Sequence, residues 1–476
     1  MNTILVWHRR DLRTEDNTAL THAVKDAGGE IIPVFIFDDA ILGRDDVAAV
    51  RVAFMLESLA DLAAQYDSLG SNLIFRRGNA EEELKTLAKE SAARAIYFNE
   101  DYEPYAKARD AKIKSVFERQ GLDVKSFQDH VFFKGEQILT AQGKPYTVFS
   151  PYRRNWLSQS EKIPAPAAAP KHLKMPQLSS LPLPEITRLD FAPQPKVHLG
   201  GSAEGHKLLS QLCSEKIVHY ADQRNYPNAD GTSRLSPHFK FGTLSVRRIY
   251  RDVQAQREFA ASEPERHGVD VFTSELIWRD FYYQIIDHFP HVAERSFKDG
   301  YEKLKWENHD EHFEAWKAGR TGFPIVDAAM RQMNETGWMH NRLRMIVASF
   351  LTKDLLIDWR RGEKYFMQRL VDGDLAANNG GWQWSASTGT DAQPYFRIFN
   401  PASQSEKFDE SGQFIKRFVP ELGDVPAKFI HAPHEAALKT PLLTAEFGKN
   451  FEAYPKPIVD HKIQREKALA MFKALK

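Results

Sequence analysis

The chain of 476 residues balances 64 Lys plus Arg against 64 Asp plus Glu, which excludes bulk electrostatic attraction as the basis of nucleic-acid binding and leaves such binding to local, salt-sensitive basic patches. A single cysteine, Cys213, excludes an internal disulfide and suits a reducing cytoplasm. No apolar run approaches a membrane span and the N-terminal apolar stretch is too short for a signal-peptide core, so a soluble chain of roughly two or three domains is expected.

The first 130 residues alternate short apolar runs with amphipathic ones. Strands are predicted over residues 4–8, 31–37, 72–77, 95–99 and 123–127, with helices near 18–27, 48–69, 80–92 and 105–120. This alternation predicts a parallel sheet wrapped by helices. The turn after the first strand, HRRDLRTEDN, contains no glycine, so the fingerprint of dinucleotide binding is missing. Between Pro164 and Pro195 lie eight prolines, which rule out one regular helix and predict a long connection over the surface. Past residue 200 helical spacing takes over: Met339, Leu343, Ile346, Val347, Phe350 and Leu351 form one apolar stripe, and a last helix is predicted over 460–475.

The segment DGDLAANNGGWQWSASTGTDAQPYFRIFNP, residues 372–401, is too polar and too aromatic for an ordinary core. Two acids, paired amides, paired glycines and two tryptophans predict a loop that holds something planar and polar, by hydrogen bonds, close backbone approach and stacking. The plainer alternative is a surface loop anchored by tryptophan, with Asn378, Asn379 and Gly380 as a turn. Its neighbours are TGWMHNRLRMIVASFLTKDLLIDWRRGEKYF (336–366), ELIWRDFYYQI (275–285), DGTSRLSPHFKFG (230–242) and LVWHRRDLR (5–13).

In this order these strings closely resemble the DNA photolyase/cryptochrome family, and within it the class I photolyases that repair cyclobutane pyrimidine dimers. The resemblance covers nearly the whole chain and is strongest from 230 to 409. It implies a Rossmann-like α/β antenna-binding domain with a parallel five-stranded sheet (1–130), a linker (131–199) and an all-α FAD-binding catalytic domain (200–476). The implied reaction is light-dependent: excited, reduced, anionic FAD passes an electron to a flipped-out dimer, the joining bonds break, and the electron returns. That is a carbon–carbon lyase reaction with no net redox change.

By the same resemblance, FAD is held by Tyr220, Thr232, Ser233, Arg234, Leu235, Ser236, Phe272, Glu275, Arg279, Asn341, Arg344, Asp372, Gly373, Asp374 and Asn378. On chemical grounds the hydroxyls and N–H groups of 232–236 suit a diphosphate, although Ser236 before Pro237 also reads as a helix N-cap. Arg344 and Asp372 match an ion pair near the flavin ring. The resemblance also implies that Asn378 faces flavin N5, where a neutral amide suits either protonation state.

Trp382, Trp359 and Trp306 match an electron relay running outward from the flavin; core packing is the commonest role of any one of them. Arg224, Glu275, Trp278, Asn341, Arg342, Met345, Trp384, Arg397 and Gln404 match contacts to the lesion or the DNA backbone. Glu275 and Asn378 are the catalytic candidates beside the relay. For each arginine a solvated helix face is the ordinary alternative. For the antenna, Tyr105 and Ala106 stand where folate-binding relatives carry Asn-Glu. The EDYEPY string and Lys240 look more like relatives that use 8-hydroxy-5-deazaflavin than 5,10-methenyltetrahydrofolate, and that resemblance implies Asp101, Glu103 and Lys240 as contacts. An acidic helix start capped by Pro104 is the plainer alternative, and an empty or flavin-filled pocket is another.

The expected partner is ultraviolet-damaged DNA, met by a cytoplasmic monomer that joins the nucleoid when bound to DNA, with no membrane and no obligate protein partner. Two alternatives share the fold. A blue-light-sensing cryptochrome has no need of Trp278, Glu275, Asn341, Met345 and Trp384. A (6-4) photoproduct photolyase carries a histidine pair where this chain has Asn341 and Met345; His340 reads as structural or as part of the pocket rim.

Overall fold

The computed structural model describes residues 3–27, 30–439 and 447–475, and the chain divides into two compact units. The first comprises Met1–Ala221, Ser233–Pro290 and Val371–Ala376; the second comprises Asp222–Thr232, His291–Leu370 and Ala377–Lys476.

In the first unit, strands β1 (Ile4–His8), β2 (Ile31–Asp38), β3 (Ile74–Gly78), β4 (Ala95–Asn99) and β5 (Asp123–Phe127) form a parallel sheet in the order β3-β2-β1-β4-β5. β1, β2 and β4 are buried along their whole length, which is why they read as continuous apolar runs rather than alternating ones. At the sheet edge only Val124 of β5 is buried. Pro33 sits opposite Val6 of β1, whereas pairing with β3 begins at Val34. There β2 has one strand neighbour, and a missing N–H is tolerated.

Helices α1 (Thr18–Ala27), α2 (Ala49–Ser68), α3 (Ala80–Ser91) and α4 (Pro104–Arg119) connect the strands, close to the expected boundaries. The stretch 131–199 is counted with this unit and contains α5 (Phe149–Ser158). Then follow α6 (Ser236–Phe241), α7 (Val246–Phe259) and α8 (Glu263–His288).

The chain order reverses between β1 and β4, so a crevice opens at their C-terminal ends. The glycine-free turn after β1 is held by side chains instead. Asp11 accepts from the Arg9 N–H at 2.7 Å, from Asn17 Nδ2 at 2.9 Å and from Asn99 Nδ2 at 2.7 Å. The one glycine the turn needs lies elsewhere: a Cβ on Gly242 (φ +58°) would stand 2.1 Å from the Arg10 carbonyl. Below the turn, Arg13 and Arg247 share Asp129 at 2.6 and 3.1 Å, and Arg247 also holds Asp16 at 2.8 Å. These buried charges are mutually compensated.

In the second unit the named helices are α9 (Pro324–Thr336), α10 (Asn341–Ser349), α11 (Trp359–Arg369), α12 (Leu375–Ala386), which belongs to this unit from Ala377 on, and α13 (His461–Lys473). Beyond residue 200 no strand occurs among the described residues. The stripe Met339, Leu343, Ile346, Val347, Phe350 and Leu351 is buried in one core with Trp316, Trp359 and Trp382. Asp460 caps α13 by accepting from the N–H groups of Lys462 and Ile463.

The segment expected as a loop departs from expectation. Residues 375–386, including Asn378, Asn379, Gly380 and Gly381, form α12. Neither glycine nor asparagine favours a helix, so tertiary contacts override the local preference. Asn379 Nδ2 and Gln383 Nε2 both donate to the Val292 carbonyl, at 2.8 and 3.1 Å, and Trp382 is buried between them in sequence.

Candidate active site

Glu275 and Trp278 lie three residues apart on α8 and so share a face. Both are half-buried. The Trp278 ring lies flat on Phe149 of α5, with centroids 3.6 Å apart and planes 7° apart. On the same helix Phe272 is buried and meets the Tyr220 ring edge-on at 5.2 Å. Arg279 donates to the His130 carbonyl at 2.7 Å and lies 4.8 Å above the Tyr283 ring.

In the loop before α6, Leu235 is fully buried, Arg234 takes a left-handed backbone (φ 55°), and Ser233 Oγ accepts from the Leu235 N–H at 3.3 Å. Ser236 is the first residue of α6 and the helix start carries no side-chain cap, so the N-cap alternative for this serine is not realised. In the second unit, Thr232 Oγ1 is buried with no hydrogen-bond partner among the described residues. A hydroxyl in that state fits a polar ligand group such as a phosphate oxygen.

The crevice at the ends of β1 and β4 brings the three antenna candidates together around a residue that sequence reading did not single out, Arg10. Its Nη1 reaches Asp101 at 3.3 Å and Glu103 at 2.7 Å, its Nε donates to the Lys240 carbonyl at 3.2 Å, and its Nη2 holds Tyr283 Oη at 2.6 Å and Asp374. Lys240 Nζ stands 3.6 Å from Glu103. A guanidinium has five N–H donors, and each finds an acceptor here.

Asp374, expected at the flavin, therefore has its carboxylate engaged by Arg10 and by the Tyr283 hydroxyl at 2.5 Å. Burial pushes this acid up, but Arg10, Lys240 and Arg279 outweigh burial and hold it well below the usual carboxylate range. Burial, with Arg10 adding to it against Glu103, pushes Lys240 down. Asp372, buried beside Gly373, belongs to the same unit. Alongside the crevice a groove of about 480 Å³ is lined by Phe98, Asp101, Tyr102, Lys107, Asp110 and His288 among others. The only sequence signal for Arg10 was its place in the turn at the sheet's reversal point.

In the second unit, Asn378 Nδ2 donates to the Glu363 carbonyl at 3.0 Å. A backbone carbonyl only accepts, so the contact fixes which end of the amide is which. The expectation of a freely reorienting amide is narrowed: Oδ1 is the end left for a ligand donor. Trp382 packs edge-on against Phe366 at 4.9 Å and Trp316 at 6.1 Å. A Cβ on Gly362 would lie 2.2 Å from the Trp382 ring, so only glycine lets α11 approach it this closely. Trp359 is fully buried in the same core and Trp306 packs on its edge, partly exposed. The indole N–H groups of Trp359 and Trp382 have no acceptor among the described residues, whereas that of Trp316 donates to the Val347 carbonyl at 3.1 Å.

His340 is buried and caps α10, accepting from the Arg342 N–H at 3.1 Å, in keeping with a structural role. Asn341 opens α10 and is exposed; Met345, one turn on, lies 3.7 Å from Arg342 Nη1 through its sulfur. Arg342 also holds Asn225 Oδ1 at 2.7 Å and lies 4.5 Å over the Phe408 ring. Arg342 thereby sits with the Arg224-bearing segment and with the helix Pro401–Phe408 that carries Gln404. Arg344 donates to the Met339 carbonyl at 2.8 Å and belongs to the second unit, while Asp372 belongs to the first. Trp384 is half-buried and Arg397 is exposed.

A parallel α/β unit with a crevice where the strand order reverses is thus joined in sequence to helices carrying a tryptophan-rich core. Residues 4–171 match the DNA photolyase domain and residues 272–474 the FAD binding domain of DNA photolyase. The chain is 43% identical over 480 residues to the deoxyribodipyrimidine photo-lyase of Halobacterium salinarum, covering 98% of each. It superposes with a TM-score of 0.91 and 37% identity on a class III photolyase from Agrobacterium tumefaciens, covering 100% of this chain and 98% of that one. A photolyase from Sulfolobus tokodaii, solved with two FAD molecules, gives a TM-score of 0.84 at 35% identity, covering 99% of this chain and 100% of that one. The chain belongs to the DNA photolyase family.

Proposed function

We propose that the protein splits cyclobutane pyrimidine dimers in DNA under blue light, as a deoxyribodipyrimidine photo-lyase. The observation that carries this reading is similarity along the full length to enzymes of that name. The fold alone does not separate photolyase classes, since a class III enzyme superposes closely; the preference for cyclobutane dimers rests on the residues. His340 is engaged in capping α10, and Asn341 and Met345 stand where the other photoproduct calls for histidines.

FAD, when bound, would supply the light-driven electron transfer that opens the dimer with no net redox change. The protein's part is to bind, orient and exclude water. Tyr220, Thr232, Ser233, Arg234, Leu235, Ser236, Phe272, Glu275, Arg279, Asn341, Arg344, Asp372, Gly373, Asp374 and Asn378 are assigned to FAD by the family resemblance. Thr232 Oγ1 supplies a buried hydroxyl that lacks a partner among the described residues, and Asn378 Oδ1 accepts from a ring N–H. Trp278 and Trp384 each offer an aromatic face to the flipped-out pyrimidines. Glu275 hydrogen-bonds a pyrimidine, and Asn341 and Met345 offer a polar contact and a soft wall. Arg224, Arg342, Arg397 and Gln404 hold the DNA backbone or the pocket rim.

Trp382, Trp359 and Trp306 carry an electron inward to an oxidised cofactor. The lack of an acceptor at the N–H of Trp359 and Trp382 among the described residues suits this role, because an oxidised indole that keeps its proton passes its charge onward instead of trapping it. Asp101, Glu103 and Lys240, gathered on Arg10, are assigned to an antenna of the 8-hydroxy-5-deazaflavin type; the absorption spectrum of extracted pigment distinguishes it from a folate and from a second FAD.

Glu275→Ala tests the catalytic assignment. Repair per absorbed photon is expected to fall far more than FAD content; an unchanged yield per photon removes Glu275 from the mechanism.

A further inference from the structure

We infer that Phe149, on the helix that precedes the proline-rich connection, is a positioning residue for the lesion: it closes one face of Trp278 and fixes the plane that meets the flipped-out dimer. The inference rests on the assignment of Trp278 to the dimer.

The sequence FSPYRRNWLS sets Phe149, Tyr152 and Trp156 on one buried face of α5. That face packs on the stretch of α8 that bears Glu275 and Trp278. Trp156 Nε1 donates to Asp280 at 3.1 Å, Tyr152 meets Phe281 at 5.3 Å, and Arg153 Nε donates to Ser274 Oγ, next to Glu275, at 2.9 Å. Phe149 completes the row beneath Trp278.

The geometry of this last contact is unusual. Aromatic pairs avoid a face-to-face sandwich because the negative ring faces repel, and they settle into offset or edge-on arrangements with centroids roughly 4.5–7 Å apart. Here the centroids are 3.6 Å apart and the planes 7° apart. The surroundings impose the sandwich: Phe281 stands edge-on to both rings, at 5.8 Å from Phe149 and 5.6 Å from Trp278. Phe149 is nearly buried at 8% exposure, whereas Trp278 keeps part of its surface open. Tyr282 flanks the same indole at 5.5 Å, tilted by 31°, so the Trp278 ring is held on several sides and its rotation is blocked before any ligand arrives. Preorganisation of this kind favours binding because less freedom is lost on association.

The test uses the full chain loaded with reduced FAD and a thymine-dimer oligonucleotide, comparing wild type, F149A, F149L, F149Y and W278A. F149A and F149L are expected to bind damaged DNA about three- to ten-fold more weakly, the span of one aromatic stacking partner. Affinity for undamaged DNA and FAD content are expected to stay at wild-type values, and F149Y to restore dimer affinity. F149L keeps the test open should F149A fold poorly. If W278A binds the dimer like wild type, the assignment of Trp278 fails and the inference with it. If W278A weakens binding and F149L does not, or if F149L loses undamaged-DNA affinity equally, Phe149 is packing and the inference is overturned.

Discussion

Two regions of this molecule bury polar atoms in opposite ways. Around Arg10 in the first unit every guanidinium donor meets an acceptor, and three carboxylates share one cation, with Lys240 beside them. Around Trp382 and Trp359 in the second unit the core is apolar, and two indole N–H groups are left unsatisfied among the described residues. Leaving a buried donor unpaired costs roughly 1–3 kcal/mol. The contrast matches the role proposed for each region. In those proposed roles, saturated charges would fix the position of a ligand, and indoles with nowhere to send a proton would keep a passing charge mobile; what the structure itself fixes is Asp374, through Arg10 and Tyr283.

The largest expected effect breaks the second region. W382F is expected to remove light-driven reduction of oxidised FAD while repair with chemically reduced FAD persists, read from flavin absorbance and from dimer loss in parallel. Loss of both activities would mean that Trp382 serves packing rather than transfer. Next comes the first region. R10Q leaves Asp101, Glu103 and Asp374 facing one another without their shared cation, and breaking such a buried set costs about 3–5 kcal/mol. Denaturant unfolding of the FAD-loaded protein measures it, and a change under about 1 kcal/mol would mark the cluster as solvated, like an exposed pair.

A pH effect of similar size comes from His238, also in the first unit. Burial pushes its imidazole down from an ordinary 6.5 to about 4, with His198 and His206 acting in the same direction. The unfolded chain thus binds more protons than the folded one between those values. The contribution of His238 is fully present above about pH 6.5 and is lost as the pH drops towards about 4, by an amount on the order of 3 kcal/mol. The difference between the curves of wild type and H238Q isolates this one residue, and a difference flat across that window would contradict a neutral, buried His238. The smallest effect sharpens the tryptophan region. G362A places a methyl group against the Trp382 ring and is expected to cost about 1–3 kcal/mol by overpacking, with a shift in tryptophan fluorescence. No change in either would show that α11 can yield.

Much of this was legible in the sequence. Strands buried on both faces leave continuous apolar runs, so the positions of β1, β2 and β4 followed directly, and the last helix, expected over 460–475, is α13. The stripe from Met339 to Leu351 predicted its own burial. What stayed hidden depended on long-range contacts. α12 runs through Asn378, Asn379, Gly380 and Gly381 because distant carbonyls capture the Asn379 and Gln383 amides. Arg10 sat in plain view within HRRDLR, but nothing local told that partners as distant in sequence as Asp101 and Asp374 would converge on it. Phe149 lay in a stretch read as linker, and its meaning appears only once Trp278 rests on it.

The central claim is that this protein uses light to undo a pyrimidine dimer. Its most direct test is blue illumination of the purified, FAD-reduced chain with an oligothymidine bearing cyclobutane dimers, followed by chromatography of the DNA. Dimers are expected to disappear in the light and persist in the dark. Dimers left intact after illumination of fully reduced, DNA-bound protein would contradict the account.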